Sequence, residues 1–62
     1  MKIKIIGQAD RGAVEYDQVL AVYDMNTHIR IQFKPTSSYY AMYESYILDL
    51  DKDLIGHIIL VP

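Results

Sequence analysis

The sequence predicts a mainly β protein, in which a small antiparallel sheet of five strands is curled or forms a partly open barrel. Three observations lead to this prediction. Apolar and polar residues alternate with period two along several segments, as in strands with one buried face. Glycine, asparagine or proline separates these segments and favours short turns. The chain has 62 residues, 52% of them hydrophobic, which predicts a single domain over residues 1–62.

The first predicted strand has the simplest pattern. Ile3 and Ile5 alternate with Lys2 and Lys4, and Gly7 follows. Alternation of this kind places the isoleucines on one face of a sheet and the lysines on the other. We therefore expect a half-buried strand that ends near the glycine.

The next two strands follow a loop predicted over residues 8–13. Residues 14–24 are rich in β-forming residues and predict one long strand, bent near Gln18. Residues 28–34 alternate apolar and polar side chains without a break and predict the third strand. Pro35 ends this strand because proline cannot donate a hydrogen bond to a neighbouring strand.

The segment "TSSYYAMYESY", residues 36–46, fits two structures. As a helix it begins at a serine cap and presents a stripe of tyrosine and methionine. As a strand it presents tyrosines on both faces. Tyrosine and serine are indifferent helix formers and tyrosine favours strands, so we predict a strand here. An α+β fold with one short helix after Pro35 is the alternative.

The last two predicted strands form a hairpin. Residues 46–50 continue as a strand in which Tyr46, Leu48 and Leu50 face the core. Residues 57–61 are apolar on both faces, which predicts a central or doubly covered position in the sheet.

Three aspartates at the tip of this hairpin raise the question of a metal site. Asp49, Asp51 and Asp53 match positions 1, 3 and 5 of a calcium-binding EF-hand loop. Leu54 stands where that loop needs glycine, and Leu60 stands where it needs glutamate. Alternation along a strand also spaces the carboxylates out instead of converging them on one ion. We predict a solvated hairpin tip, with no metal and no cofactor.

The hairpin also carries a family resemblance. The sequence "YILDLDKDLIGHIIL" resembles the aspartate-rich C-terminal hairpin of a family of short bacterial domains without an assigned activity. Upstream, "VYDMNTHIRIQF" is similar to the opening of those domains, so the resemblance covers residues 22–61. The chain departs from the family at Leu54, where the family has its turn glycine, and at Ile58, where it has a glutamate. The resemblance implies a β-hairpin architecture and adds no site.

Composition and spacing argue against several function classes. Without cysteine there is no disulfide, thiolate metal site or cysteine nucleophile. The sequence lacks the apolar run of about 18 residues that spans a membrane, and its alternating start is unlike a signal peptide, so we expect a cytoplasmic protein. His28 and His57 fit surface or sheet-edge positions, and the three glycines form no phosphate-binding loop. We therefore expect no catalytic residue, no enzymatic activity and no small-molecule substrate.

The tyrosines are the strongest functional feature of the sequence. There are six in the chain, four of them within eight positions. Tyrosine and methionine are enriched at protein interfaces, because they tolerate water and gain energy when buried. The alternative is that these rings are buried and complete the hydrophobic core. The candidate interface consists of Tyr39, Tyr40, Met42, Tyr43, Glu44 and Tyr46.

Charge and size then separate three functional hypotheses. Residues 1–34 carry a net charge of +1 and residues 35–62 carry −3. The favoured hypothesis is a non-enzymatic protein-interaction module that self-associates or acts as a small inhibitor or adaptor of a host protein. Small acidic chains of this kind often come from phage or mobile elements, and a nucleic-acid-binding defence nuclease is an example of a target.

Two alternatives remain open at this stage. A purely structural subunit would use its tyrosine face to close a homodimer. A nucleic-acid-binding β domain would use a basic sheet face, although the acidic balance disfavours nucleic acid as a partner. The residues of that alternative face are Lys2, Lys4, Arg30 and Lys34.

Overall fold

A computed structural model of the chain describes residues 1–8 and 11–62. Within these residues the fold is mainly β, as predicted, with one short helix. The elements are β1 (Lys2–Ile6), β2 (Ala13–Tyr16), β3 (Val19–Asp24), β4 (His28–Phe33), α1 (Ser38–Tyr43), β5 (Ile47–Asp51), a 3-10 turn (Lys52–Leu54) and β6 (His57–Val61). The loop predicted over residues 8–13 contains Ala9 and Asp10, which lie outside the described residues.

The strands form two antiparallel sheets of three strands each. The first has the order β2-β1-β6 and the second the order β3-β4-β5. The antiparallel arrangement is confirmed, but the single five-stranded sheet becomes two sheets that do not close. The central strands β1 and β4 carry the core between the sheets. Their alternating side chains Ile3, Ile5, Ile31 and Phe33 are buried, together with Tyr16 and Val19.

A bend at Gln18 explains why the long second strand becomes two. Gln18 has a φ of 52°, in the left-handed region, so β2 leaves one sheet and β3 enters the other. The sheets are joined at this bend by two backbone hydrogen bonds between Met1 and Val19. The Met1 amino group donates to the Val19 carbonyl at 2.8 Å, and the Val19 amide donates to the Met1 carbonyl at 2.7 Å. The predicted bend is therefore confirmed.

The segment after Pro35 is helical, so the predicted strand is wrong and the helical alternative is right. The buried Ser37 hydroxyl caps α1 by accepting a hydrogen bond from the Tyr40 amide at 2.9 Å. Asp17, distant in sequence, accepts hydrogen bonds from the Ser38 amide and hydroxyl, each at 3.0 Å. These two caps satisfy N–H groups that a helix start leaves free. Tertiary contacts thus outweigh the weak helix propensity of tyrosine.

The predicted pairing of the last two strands in a hairpin is wrong, because β5 pairs with β4 in one sheet and β6 belongs to the other sheet. β6 pairs with β1 and is an edge strand, so its predicted central position is wrong. Leu48 and Leu50 of β5 pack against the core as predicted, but Tyr46 precedes the strand and is half-exposed. Within the described part of the chain, no helix is long and apolar enough to cross a membrane.

Candidate protein-binding groove

A half-open groove of about 500 Å³ lies between β2, helix α1 and the segment formed by β5 and the 3-10 turn. Three separate stretches of the chain build it, and most of its surface is apolar. We call it the tyrosine groove. Its lining residues are Gln8, Arg11, Val14, Glu15, Tyr16, Asp17, Ser38, Tyr39, Met42, Tyr43, Leu48, Leu50 and Leu54.

Tyr39 fixes the helix to the core beneath the groove. Its ring stacks on Phe33 with centroids 4.5 Å apart and an interplanar angle of 14°. It also meets Tyr16 edge-on at 6.1 Å and Tyr43 at 4.7 Å. Burial raises the pKa of the Tyr39 hydroxyl above its usual value. Tyr39 therefore acts mainly as a core residue that also contributes to the groove wall.

The outer wall of the groove is exposed and apolar. Met42 is 73% exposed, and Tyr43 and Leu54 are each more than half exposed. Met42 and Tyr43 come from α1, and Leu54 comes from the 3-10 turn between β5 and β6. A chemically matched surface placed here would bury all three side chains at once, which is favourable because apolar area leaves water.

The predicted interface residues divide into two groups. Tyr39, Met42 and Tyr43 line the tyrosine groove. The rings of Tyr40 and Tyr46 stack on each other with centroids 4.4 Å apart and are not part of the lining. Glu44 is also outside the lining and ends the helix in the left-handed conformation, with a φ of 53°. Among these tyrosines, Tyr39 thus packs against the core, whereas Tyr43 and Tyr46 are exposed.

Two carboxylates and one guanidinium stand at the rim of the groove. The Ser38 amide and hydroxyl hold the pKa of Asp17 below its usual value, so Asp17 is ionised at neutral pH. Glu15 lies 3.3 Å from the Lys2 ammonium in an exposed ion pair. Arg11 is the cation of the lining and Lys2 offsets the charge of Glu15, so Asp17 is the carboxylate of the lining that appears in no ion pair among the described residues.

Sequence reasoning missed most of the groove wall opposite the helix. Val14, Leu48 and Leu50 looked like ordinary core positions, and Leu54 looked like part of a polar hairpin tip. One signal was available for Leu54. It is an apolar residue directly after three charged residues, at the position where the resembling hairpins have glycine. An exposed leucine in such a tip is a common sign of a contact surface when other apolar residues lie beside it.

The basic residues of the nucleic-acid alternative do not come together. Lys2 and Lys4 belong to β1 in one sheet, whereas Arg30 belongs to β4 in the other and Lys34 follows it. Arg30 makes a bidentate ion pair with Asp49, at 2.8 and 3.0 Å. Since Lys2 is paired with Glu15, two of the four cations already face a carboxylate.

The three aspartates of residues 49–53 have separate roles. Asp49 pairs with Arg30, which holds the pKa of the Asp49 carboxyl below its usual value. Asp51 caps the 3-10 turn by accepting a hydrogen bond from the Asp53 amide at 3.0 Å. In the part of the chain that the structure describes, no three histidine or acidic side chains are grouped as metal ligands. All three aspartates are exposed, which agrees with the predicted solvated segment.

Comparisons with protein families, with curated proteins and with solved structures find no match for this chain. The resemblance of residues 22–61 to the bacterial hairpin domains stays a prediction. Functional inference therefore rests on the groove and on the other surfaces of the fold.

Proposed function

We propose that the chain is a non-enzymatic protein-interaction module, and that its tyrosine groove binds a short segment of another protein. The segment carries apolar side chains and at least one basic side chain. One observation supports this proposal above the others. Met42, Tyr43 and Leu54 leave an exposed apolar wall around a groove whose floor is already fixed by the core.

The apolar part of the proposed partner follows from the chemistry of the wall. Methionine and tyrosine adapt to different partner shapes, since methionine is flexible and the tyrosine ring has an apolar body and a polar tip. The floor is rigid because Tyr39 is stacked on Phe33. A rigid floor loses little conformational entropy on binding, which favours recognition of a short segment.

The basic part of the proposed partner follows from charge. Asp17 lines the groove and is ionised, and Asp53 lies next to Leu54 in the sequence. The whole chain has a formal net charge of −2. A lysine or arginine beside the apolar residues of the partner meets complementary charge here, which speeds association and disfavours acidic competitors.

The non-enzymatic part of the proposal rests on the state of the rim carboxylates. A general base needs a free carboxylate or imidazole with a pKa near neutral pH. Asp17 instead accepts two hydrogen bonds from Ser38 and its pKa is lowered, and Glu15 is paired with Lys2. Both groups fit a role in binding. A host protein whose own basic functional segment entered the groove would be inhibited.

The proposal is tested with two pools of short synthetic peptides. Both pools contain the same apolar residues, but one has lysine or arginine where the other has glutamate. We expect the basic pool to bind in a fluorescence anisotropy titration and the acidic pool to bind at least tenfold more weakly. The Tyr43→Ser variant should reduce binding of the basic pool by about tenfold, since about 1.4 kcal/mol corresponds to that factor.

The matched control is Leu20→Ser. Leu20 lies on β3, is 53% exposed and is not part of the groove lining. It should bind the basic pool like the unchanged chain. Equal binding of both pools, or equal loss in the Tyr43 and Leu20 variants, would contradict the proposal.

A further inference from the structure

The free edge of β6 differs from the other sheet edges in its chemistry. Along its five residues, His57–Val61, this strand contains no aspartate, glutamate, lysine or arginine. Among the described residues it pairs with β1 on one side. Edge strands expose unpaired backbone groups, and charged side chains usually protect them from pairing with another chain. This edge lacks such protection.

Both faces of β6 are also apolar and exposed at this edge. Leu60 is the cross-strand neighbour of Ile3 and therefore lies on the same face of the sheet. Ile3 is 1% exposed, whereas Leu60 is 69% exposed. On the opposite face, Ile59 is the neighbour of Lys4 and is about half exposed. The core of a single chain thus leaves much of β6 exposed to solvent.

We infer that β6 pairs with β6 of a second copy of this chain. An antiparallel pair related by a twofold axis at Ile59 would join the two sheets into one sheet of order β2-β1-β6-β6-β1-β2. It would place Leu60 opposite Ile58 of the second copy and so cover the exposed leucine. The backbone groups of both edges would be satisfied in the same step.

Charge favours a second copy at this edge over the edges of β2 and β5. Pairing β2 with itself would bring Glu15 of two copies close together, and pairing β5 with itself would do the same for Asp49 and Asp51. Like charges across a strand pair are destabilising. β6 brings no carboxylate or ammonium group to such a pair, so the strand is complementary to itself.

This inference is independent of the tyrosine groove, because no residue of β6 lines the groove. A dimer formed through β6 leaves both grooves open. A dimer would then present two binding sites, and a partner with two basic segments would bind with a higher apparent affinity than one with a single segment.

The test is sedimentation of the purified chain over a wide range of concentration. We expect a monomer–dimer equilibrium that stops at the dimer, because each chain has one such edge. Leu60→Lys should weaken dimerisation at least tenfold, and because Leu60 is mostly exposed the variant should fold. The matched control is Leu20→Lys, which adds the same charge at a similarly exposed leucine and should dimerise like the unchanged chain.

Amide hydrogen exchange gives a second readout that does not depend on a variant. Amides of residues 57–61 should become more protected as concentration rises, whereas those of the β2 edge, residues 13–16, should not. The inference is overturned by a chain that stays monomeric at millimolar concentration or forms a growing series of oligomers. A dimer that Tyr43→Ser abolishes and Leu60→Lys leaves unchanged also overturns it, because the contact would then be the groove.

Discussion

Replacing Tyr39 with alanine tests the division between core tyrosine and binding tyrosine. The substitution removes the ring that stacks on Phe33 and meets Tyr16 and Tyr43. Helix α1 would lose its main contact with the core. Tyr43→Ala removes a ring of the same size from the same helix, but from its exposed side. The two variants therefore form a matched pair.

The expected loss of stability follows from burial. Truncating a fully buried aromatic side chain to alanine costs about 3–5 kcal/mol. Tyr39 is partly exposed, so we expect roughly half of that, about 2 kcal/mol. Tyr43→Ala should cost roughly 0.5–1 kcal/mol because much of that ring is already in water. A domain of this length has a free energy of unfolding of about 3–9 kcal/mol, so both variants should fold at 25 °C.

Urea unfolding followed by far-UV circular dichroism measures this difference. With a denaturant slope of about 1 kcal/mol per molar urea, the midpoint should fall by about 2 M for Tyr39→Ala and by less than about 1 M for Tyr43→Ala. Equal shifts in the two variants would refute the assignment of Tyr39 to the core. So would a Tyr39→Ala midpoint within the error of the unchanged chain.

Three further predictions concern pH and close packing. The pKa of Asp17 is lowered in the folded state, so the ionised carboxylate stabilises the fold above pH about 4, and this stabilisation is lost as pH falls further. Asp17→Asn should therefore lower the urea midpoint at pH 7. The difference in midpoint from the unchanged chain should shrink toward pH 2. The pKa of Tyr39 is raised, so stability should fall as pH rises above about 10, and Tyr39→Phe should reduce this alkaline loss in thermal melts while keeping the melting temperature at pH 7. A Cβ at Gly56 would lie 2.8 Å from the Ile6 carbonyl oxygen, so Gly56→Ala should cost about 1–3 kcal/mol in urea unfolding. The Asp17 prediction is contradicted if the difference in urea midpoint grows in acid. The Tyr39 prediction is contradicted if Tyr39→Phe leaves the alkaline loss of stability unchanged. The Gly56 prediction is contradicted if Gly56→Ala is as stable as the unchanged chain.

Local alternation was sufficient to predict the two strands that carry the core. Ile3 and Ile5 alternate with lysines, and Ile31 and Phe33 alternate with polar residues. In each case the alternation predicts a strand, because it places all the apolar side chains on one face of a sheet.

The helix and the edge position of β6 could not be predicted in this way. The choice of helix after Pro35 depends on Asp17, which caps the helix from another part of the chain. The edge position of β6 depends on its pairing with β1, a strand more than 50 residues earlier in the chain. A strand that is apolar on both faces has the same sequence pattern whether another layer or a second chain covers it. Local periodicity carries neither piece of information.

The groove was predictable only from its helical side. The tyrosine and methionine cluster identified Tyr39, Met42 and Tyr43, but the opposite wall comes from β2, β5 and the 3-10 turn. Bringing these stretches together requires the bend at Gln18 and the pairing of β5 with β4. These are long-range features of the fold.

The most direct test of the proposed function is the NMR chemical-shift map of the folded chain titrated with the basic, apolar peptide pool. We expect the largest shifts at Tyr43, Met42 and Leu54 and smaller shifts at Asp17, while the β6 residues stay unchanged at constant protein concentration. Shifts centred on the Lys2 and Lys4 face, or no shifts at millimolar peptide, would contradict the proposal that the tyrosine groove is the binding site.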